Sequence, residues 1–208
     1  MNKRNEDVTR EELHTRRIEL DAYRRSDGLF EIEGRVIDRK PFEFRSPNGD
    51  KRVPAGAAIH DVAVCLVFDE TMLVVDVHGG TAAAPYDECY AAKSALDCLK
   101  GLRIGAGWGS EVRRRLGGAQ GCTHMMELLG PMATAAYQAL TGLRAGRPDV
   151  LDSAGRPRKI DSCFAYAASG TLVMRRWPAH YTGPAGSTAQ DADGEADGEG
   201  DGKAAGPA

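Results

Sequence analysis

The segment GCTHMMELLG, residues 121–130, places a thiol, a hydroxyl, an imidazole and a carboxylate within six positions, where an apolar helical pattern begins. On a helix, His124 and Glu127 are three residues apart and lie on one surface. Cys122 precedes the first turn, where unpaired N–H groups and the helix dipole favour a thiolate. The spacing fits a metal site, with Glu127 as a ligand or an orienter of the imidazole. A cysteine nucleophile with a histidine base is the alternative.

Two other element starts carry similar chemistry. His60 and Asp61 open the strand pattern IHDVAVCLVF, and Cys89 opens the helical pattern CYAAKSALDCLKGL. If these starts share one edge of a sheet, His60, Cys89, Cys122 and His124 supply two nitrogens and two sulfurs, which suits tetrahedral Zn and can hold Fe. Asp61 then acts as an alternate ligand or orients an imidazole. For each residue alone, packing, capping or a loop hydrogen bond is the simpler interpretation.

The strands that must position these residues form two predicted pairs. The first pair flanks the Asp27-Gly28 turn, in RRIELDAYRR and LFEIEGRVIDRKPFEF. The second pair joins IHDVAVCLVF to MLVVDVHGG. Alternation places His60 and Asp61 on opposite faces of their strand. Both faces are mostly apolar in the middle of that strand, which predicts that helices or another layer cover much of the sheet.

Helical patterns follow the strands. One runs from Cys89 to a stop at Gly101, a second lies in GWGSEVRRRLGG, and a third runs from an N-cap at Thr123 to about Leu140. Pro131 is expected to kink or divide the third helix. The stretch IDSCFAYAASGTLVMRRW predicts a last strand or strand pair. Strands followed by helices indicate an α+β fold, with a largely antiparallel sheet of three to six strands and helices packed on it.

Composition divides the chain into three parts. We expect a flexible charged lead-in over 1–14, a single α+β domain over 15–180, and a disordered acidic tail rich in Gly and Ala over 181–208. Arg16 and Arg17 are interpreted as a solvated face, and His14 as part of a poorly structured end. Five cysteines, an odd number without a CxxC motif, argue against disulfides.

Charge and hydropathy limit which partners and which cellular compartment the sequence predicts. The net charge of −3 resides largely in the acidic tail, and a nearly neutral body gives no electrostatic case for nucleic-acid binding. No apolar run approaches the roughly 20 residues that span a bilayer, so no membrane partner is expected. The charged N-terminus lacks the apolar stretch of a signal peptide, which favours a cytoplasmic protein. A small-molecule substrate or a protein partner remains open.

The segments YRRSDGLFEIEGRVIDRKPFEF, IHDVAVCLVFDETMLVVDV, LKGLRIGAGW and GCTHMMELLGPMATAAYQ together resemble the bacterial domain-of-unknown-function family numbered 2889, from about Arg16 to Pro178. The family name implies no activity. The association of its members with catabolic gene neighbourhoods for aromatic or steroid CoA esters implies small acyl or CoA-ester substrates.

The order of motifs is also similar to the NifU-type iron–sulfur cluster scaffold proteins, in which cysteines stand at a strand start and before two helices. That resemblance implies a scaffold-like fold and matches His60 and Asp61, Cys89, and Cys122 with His124. The first scaffold cysteine is replaced here by Ile59-His60. The replacement argues against cluster assembly and leaves a mononuclear Zn or Fe site open.

Three hypotheses about function follow. The first is a metal-binding protein, scaffold-like or with a catalytic metal, that uses Zn or Fe. The second is a metal-free enzyme on small acyl substrates, with Cys122 as nucleophile and His124 as base. The third is a non-catalytic accessory subunit whose methionine-rich helix docks a partner.

Overall fold

A four-stranded antiparallel sheet forms the centre of the computed structural model, which describes residues 8–47, 51–144 and 146–183. Its strand order is β1-β2-β5-β6, and β3 pairs with β4 in a separate two-stranded ribbon. The strands are β1 Thr15–Arg24, β2 Phe30–Arg39, β3 Phe44–Arg45, β4 Arg52–Val53, β5 Ala58–Phe68 and β6 Val74–Ala83. Both predicted strand pairs are confirmed. The turn between β1 and β2 contains Gly28 at φ 86°, in the left-handed region that glycine tolerates best.

The helices follow the sheet along the chain, so the predicted α+β fold is confirmed. The α-helices are α1 Trp108–Leu116, α2 Thr123–Leu143 and α3 Thr171–Arg176. Short 3₁₀-helices span Asp87–Tyr90, Ala92–Leu99, Gly118–Gln120, Phe164–Tyr166 and Pro178–His180. The helical pattern that begins at Cys89 therefore forms 3₁₀ rather than α-helical turns. The predicted last strand is wrong, because residues 164–180 form short helices with Val173 buried against Ile160 and Ala168.

Helix α2 continues through Pro131 without a break, so the predicted division of this helix is wrong. Proline removes one backbone N–H and crowds the carbonyl four residues earlier. Packing offsets this local cost, because α2 buries six side chains along one side: Met125, Leu128, Leu129, Met132, Ala136 and Leu140. The methionines expected to dock a partner lie mostly in this core, since Met125 and Met132 are buried.

The core lies between the sheet and α2, which crosses β1, β2 and β5. The sheet contributes Ile32 and Val36 from β2 and Val62, Val64 and Leu66 from β5. Helix α2 approaches β2 closely at Gly34, where an added Cβ would lie 2.9 Å from Met132 Sδ. Because Gly34 has no side chain, α2 packs directly against β2. This close packing also places the first turn of α2 near the end of β2.

The opposite face of the sheet is more polar than its mid-strand composition predicts. Helix α2 and the 3₁₀-helix Ala92–Leu99 pack on the core face. The opposite face carries exposed Glu33 and Arg35, with half-buried Asp61 and Cys65 beside them. Helices therefore cover the core face, as expected, and the charged side chains that β2 supplies at alternate positions lie on the other face.

The contacts divide the chain into two compact units, 1–145 and 146–208. In the described part of the second unit, Ile160, Ala168 and Val173 form a small core with Trp177. The described residues 8–14 have no regular secondary structure. The rest of the predicted lead-in, 1–7, and 184–208 of the predicted tail lie outside the described residues. No helix in the described ranges has the length and hydropathy needed to cross a bilayer.

Candidate functional site

Three strands contribute one row of polar side chains at the edge of the core face. Arg16 of β1 is paired in register with Asp38 of β2, and Asp38 is paired with His60 of β5. Alternation places all three on the same face as the apolar core residues Val36 and Val62. The strand register therefore brings a guanidinium, a carboxylate and an imidazole together, although they are far apart in sequence.

Asp38 is the centre of this row, with only 1% of its side chain exposed. Arg16 donates two hydrogen bonds to it, from Nε to Oδ1 and from Nη2 to Oδ2, both 2.8 Å long. His14 Nε2 lies 3.0 Å from Oδ1, and His60 Nδ1 lies 3.1 Å from Oδ2. Burial opposes ionisation, but the hydrogen bonds and charge of Arg16, with those of the imidazoles, lower the pKa of Asp38 to about 2. The buried carboxylate is therefore ionised at neutral pH.

The first turn of α2 places His124 over His60. The two ring centroids are 3.9 Å apart and the ring planes are inclined by 31°. His124 Nε2 lies 3.6 Å from Asp38 Oδ2. Burial and the neighbouring His124 lower the pKa of His60, so its neutral form is favoured. One donor atom from each of Asp38, His60 and His124 lies within 4.8 Å of the others.

Cys122 and Glu127 flank this group from α2. Cys122 is the N-cap residue, one position before the predicted cap, and its Sγ lies 3.9 Å from His124 Nδ1. Contact with His124 lowers the pKa of the Cys122 thiol, assisted by nearby backbone N–H groups and opposed by burial. Glu127 accepts a hydrogen bond from Arg16 Nη1, so this guanidinium joins the first turns of α2 to the sheet. Glu127 thus lies beside the group through Arg16.

Asp61 and Cys89 lie apart from this cluster. Asp61 follows His60 in β5, so its side chain points to the opposite face, where it accepts hydrogen bonds of 2.7 and 2.6 Å from Arg35. Cys89 lies in the 3₁₀-helix Asp87–Tyr90, and its backbone carbonyl accepts a hydrogen bond from Thr81. Neither residue belongs to a group of three clustered donors within the described ranges. Of the five metal ligands predicted from sequence, the fold brings His60 and His124 together with Asp38, whereas Cys122 contacts His124 Nδ1 and lies outside the group of clustered donors.

Sequence reasoning missed Asp38, Arg16 and His14. A signal for Asp38 was present, because it shares strand parity with Ile32 and Val36 and so falls on the core face. A charged residue at such a position needs a partner. Nothing in the sequence near Arg16 or His14 identifies them as those partners, since the contacts span 22 and 24 positions.

A second group of donors lies on the opposite face of the sheet. It consists of Glu31, Glu33 and Cys65, again with one donor atom each within 4.8 Å. Burial, with the charges of the two glutamates, raises the pKa of the Cys65 thiol to about 12. This thiol therefore remains protonated at neutral pH, unlike the typical cysteine ligand of a metal.

Comparison with known proteins supports the family resemblance and goes no further. No curated protein and no solved structure matches the chain, so the similarity to NifU-type scaffold proteins is without support. Residues 14–138 match the family described as Protein of unknown function (DUF2889), and this range contains the whole Asp38 cluster. The chain therefore belongs to the DUF2889 family of proteins of unknown function.

Proposed function

We propose that this protein binds a divalent transition metal, Zn or Fe, through His60, His124 and Asp38, with Cys122 beside His124. The observation that carries the proposal is the convergence of three donor atoms within 4.8 Å at one edge of the core. Two imidazoles and a carboxylate are the ligand set of many open, catalytic Zn sites and of mononuclear non-haem Fe(II) sites.

The spacing of the donors supports ligation. Donor atoms about 2.0–2.1 Å from a tetrahedral Zn²⁺ lie roughly 3.3 Å from one another. Asp38 Oδ2 lies 3.1 Å from His60 Nδ1 and 3.6 Å from His124 Nε2, on either side of that value. An imidazole nitrogen binds a metal in the plane of its ring. Because the rings of His60 and His124 overlap, with centroids 3.9 Å apart, one of them must rotate for both to bind the same ion.

The charges around the site suit a dication. The positive charge of Arg16 is shared between Asp38 and Glu127, two carboxylates. A Cys122 thiolate adds a further negative charge, and its lowered pKa makes that form accessible. Arg16 then acts as an orienter of Asp38, because its two hydrogen bonds fix the plane of the carboxylate.

The test is metal content and Co²⁺ binding by the purified full chain. We expect about one equivalent of Zn or Fe by elemental analysis, and tight, saturable Co²⁺ binding to the metal-free protein. His60→Ala and His124→Ala should each weaken Co²⁺ binding by more than about 100-fold, because each removes a ligand. Cys122→Ser should abolish any thiolate-to-cobalt absorption band, which separates four protein ligands from three.

His78→Ala is the matched control. This histidine lies on β6 with 64% of its side chain exposed and contacts Asp76, away from the cluster. We expect its Co²⁺ affinity to equal that of the unaltered chain. Metal content that is negligible in all preparations, or equal losses in His78→Ala and His60→Ala, would contradict the proposal.

A second candidate function is metal-free acyl transfer with Cys122 as nucleophile. The observation that favours it is the chain of contacts from Cys122 Sγ to His124 Nδ1, at 3.9 Å, and from His124 Nε2 to Asp38, at 3.6 Å. A thiol, an imidazole and a carboxylate in this order can generate a thiolate nucleophile and orient its base. The expected substrates are small acyl or CoA esters.

A reactive acyl thioester distinguishes the two functions. In metal-free protein, the acyl-transfer hypothesis predicts a stoichiometric burst of thiol release and an acyl adduct on Cys122, detected by mass spectrometry. Cys122→Ser should abolish both signals, whereas Cys65→Ser should leave them unchanged. Absence of an adduct from metal-free protein, together with saturable metal binding, would favour the metal-binding function.

A further inference from the structure

A hollow of about 430 Å³ lies at the end of the β1–β2 pair, beside the loop that follows β2. Its lining includes three cations, Arg17, Arg39 and Lys40, together with Thr15 and a single acid, Glu12. Gly56 completes the rim, and its N–H donates a 2.8 Å hydrogen bond to the carbonyl of Lys40. This bond ties the loop before β5 to the end of β2 and gives the hollow a defined wall.

Strand register brings the two arginines together. Thr15 is paired with Arg39, and Arg17 with Ile37, so Arg17 and Arg39 are diagonal neighbours across β1 and β2. Both alternate with the Arg16–Asp38 row and therefore lie on the opposite face of the sheet from the Asp38 cluster. A register shift between Asp38 and Arg39 marks a bulge here, a feature that often re-aims side chains at functional edges.

Positive charge exceeds negative charge in the described lining of the hollow, and Asp61, which does not line it, acts electrostatically on Arg39 from beyond ion-pair distance. Neither Arg17 nor Arg39 forms an ion pair in the described ranges, and the Lys40 ammonium contacts only the Leu13 carbonyl and the ring of Phe42. The single acid, Glu12, already accepts a hydrogen bond from Thr15. Like charges held together on a sheet are destabilising, so an anion in the hollow would relieve their repulsion.

We propose that this hollow binds a phosphate-bearing ligand, in a site separate from the proposed metal centre. Two guanidinium forks and an ammonium supply more N–H donors than one carboxylate can accept, and they suit the several oxygens of a phosphoryl group. The volume exceeds that of a single phosphate and falls within the range of sites for small organic ligands.

The test is calorimetric titration of the full chain, freed of metal, with inorganic phosphate and with pyrophosphate. We expect saturable binding, tighter for pyrophosphate because its charge is greater. Arg39→Gln and Arg17→Gln should each weaken pyrophosphate binding by about tenfold or more. Arg24→Gln removes the same charge from the far end of β1, in a residue exposed to solvent, and should change the affinity by less than about twofold.

Two results would overturn this proposal. One is the absence of saturable pyrophosphate binding, or an equal loss in Arg24→Gln, which would indicate unspecific attraction to surface charge. The other is a loss in His60→Ala with none in Arg39→Gln, which would place the anion at the Asp38 cluster. Urea unfolding of each variant verifies that the fold is retained, and Arg39→Lys, which keeps the charge, should restore part of the affinity.

Discussion

Two groups of metal-ligand side chains lie on opposite faces of the same sheet and differ in their surroundings. Asp38, His60 and His124 lie at the edge of the core, whereas Glu31, Glu33 and Cys65 face away from it. In both groups, one donor atom of each residue lies within 4.8 Å of the others. The spacing of the donors is therefore not what separates the two groups.

The difference lies in the neighbouring charges. Arg16 supplies a positive charge to buried Asp38, and the pKa of this carboxyl falls to about 2 in spite of burial. On the other face, burial and two glutamates raise the pKa of Cys65 to about 12. In the first group, Asp38 is ionised and the neutral form of His60 is favoured, whereas Cys65 of the second group must lose a proton at high cost. A donor cluster becomes a plausible metal site only where its environment favours the ligating protonation state.

The largest difference that we expect is in the free energy of unfolding that is lost when one carboxylate is removed from each face. In metal-free protein, Asp38→Asn should lower the free energy of unfolding by about 2 kcal/mol, because it leaves Arg16 and the imidazoles without their buried counter-charge. Asp61→Asn, which breaks a pair with half-exposed Arg35, should cost less than about 1 kcal/mol. Urea unfolding measures both, and equal costs would show that burial of the carboxylate does not matter here.

The second-largest difference that we expect is between the reactivities of the Cys122 and Cys65 thiols. Iodoacetamide at neutral pH should modify Cys122 of the metal-free protein at least about tenfold faster than Cys65, because the two pKa values move in opposite directions. Peptide mass spectrometry after short exposures gives both rates. His124→Ala should slow modification of Cys122 and leave Cys65 unchanged. A faster reaction at Cys65 would contradict our description of both faces.

Two adjacent glycines of β6 lie on opposite faces of the sheet, so that substitutions at them compare how closely each face is packed. Gly79 faces the core, where an added Cβ would lie 2.5 Å from Leu96 Cδ1 and 3.5 Å from Met125 Cε. Gly79→Ala should therefore destabilise the fold by about 1.5 kcal/mol. Gly80 has no neighbouring atom within 4 Å of such a Cβ, so Gly80→Ala should be neutral or slightly stabilising. Thermal unfolding of the two variants distinguishes the faces, and similar melting temperatures would argue against close packing at Gly79.

The smallest effect should come from the acidic C-terminal residues. Ending the chain after Gly183 removes six acids and no large apolar side chain, so we expect the melting temperature to change by less than about 2 °C. Scanning calorimetry of the shortened and full chains measures this. A larger decrease would show that these residues stabilise the body through contacts with it.

Local sequence rules predicted the four strands of the central sheet and the start of α2 correctly. Alternation of apolar residues located β5 and placed His60 and Asp61 on opposite faces of it, and the Asp27-Gly28 turn located the β1–β2 pair. The helix that begins after Cys122 was predicted within one residue of its N-cap. The errors arose where tertiary packing overrode a local preference. Pro131 lies inside an unbroken helix, and the predicted last strand is replaced by short helices.

Which residues meet at the site could be predicted only in part from the sequence. His60 and His124 were predicted to meet, and their rings overlap at 3.9 Å, but Asp61 and Cys89 lie elsewhere. Asp38 supplies the carboxylate instead. Its position on the core face followed from strand parity, but its partners depended on a strand register that no local pattern specifies.

The sequence by itself determined which side chains can ligate and which face of a strand each one occupies, because these follow from residue type and from a period of two. Only the tertiary structure decided that Arg16, Asp38 and His60 form one row and that the first turn of α2 lies over it. The physical reason is the range of the interactions. Alternation is set between neighbouring residues, whereas register and helix placement depend on core packing between residues far apart in the chain.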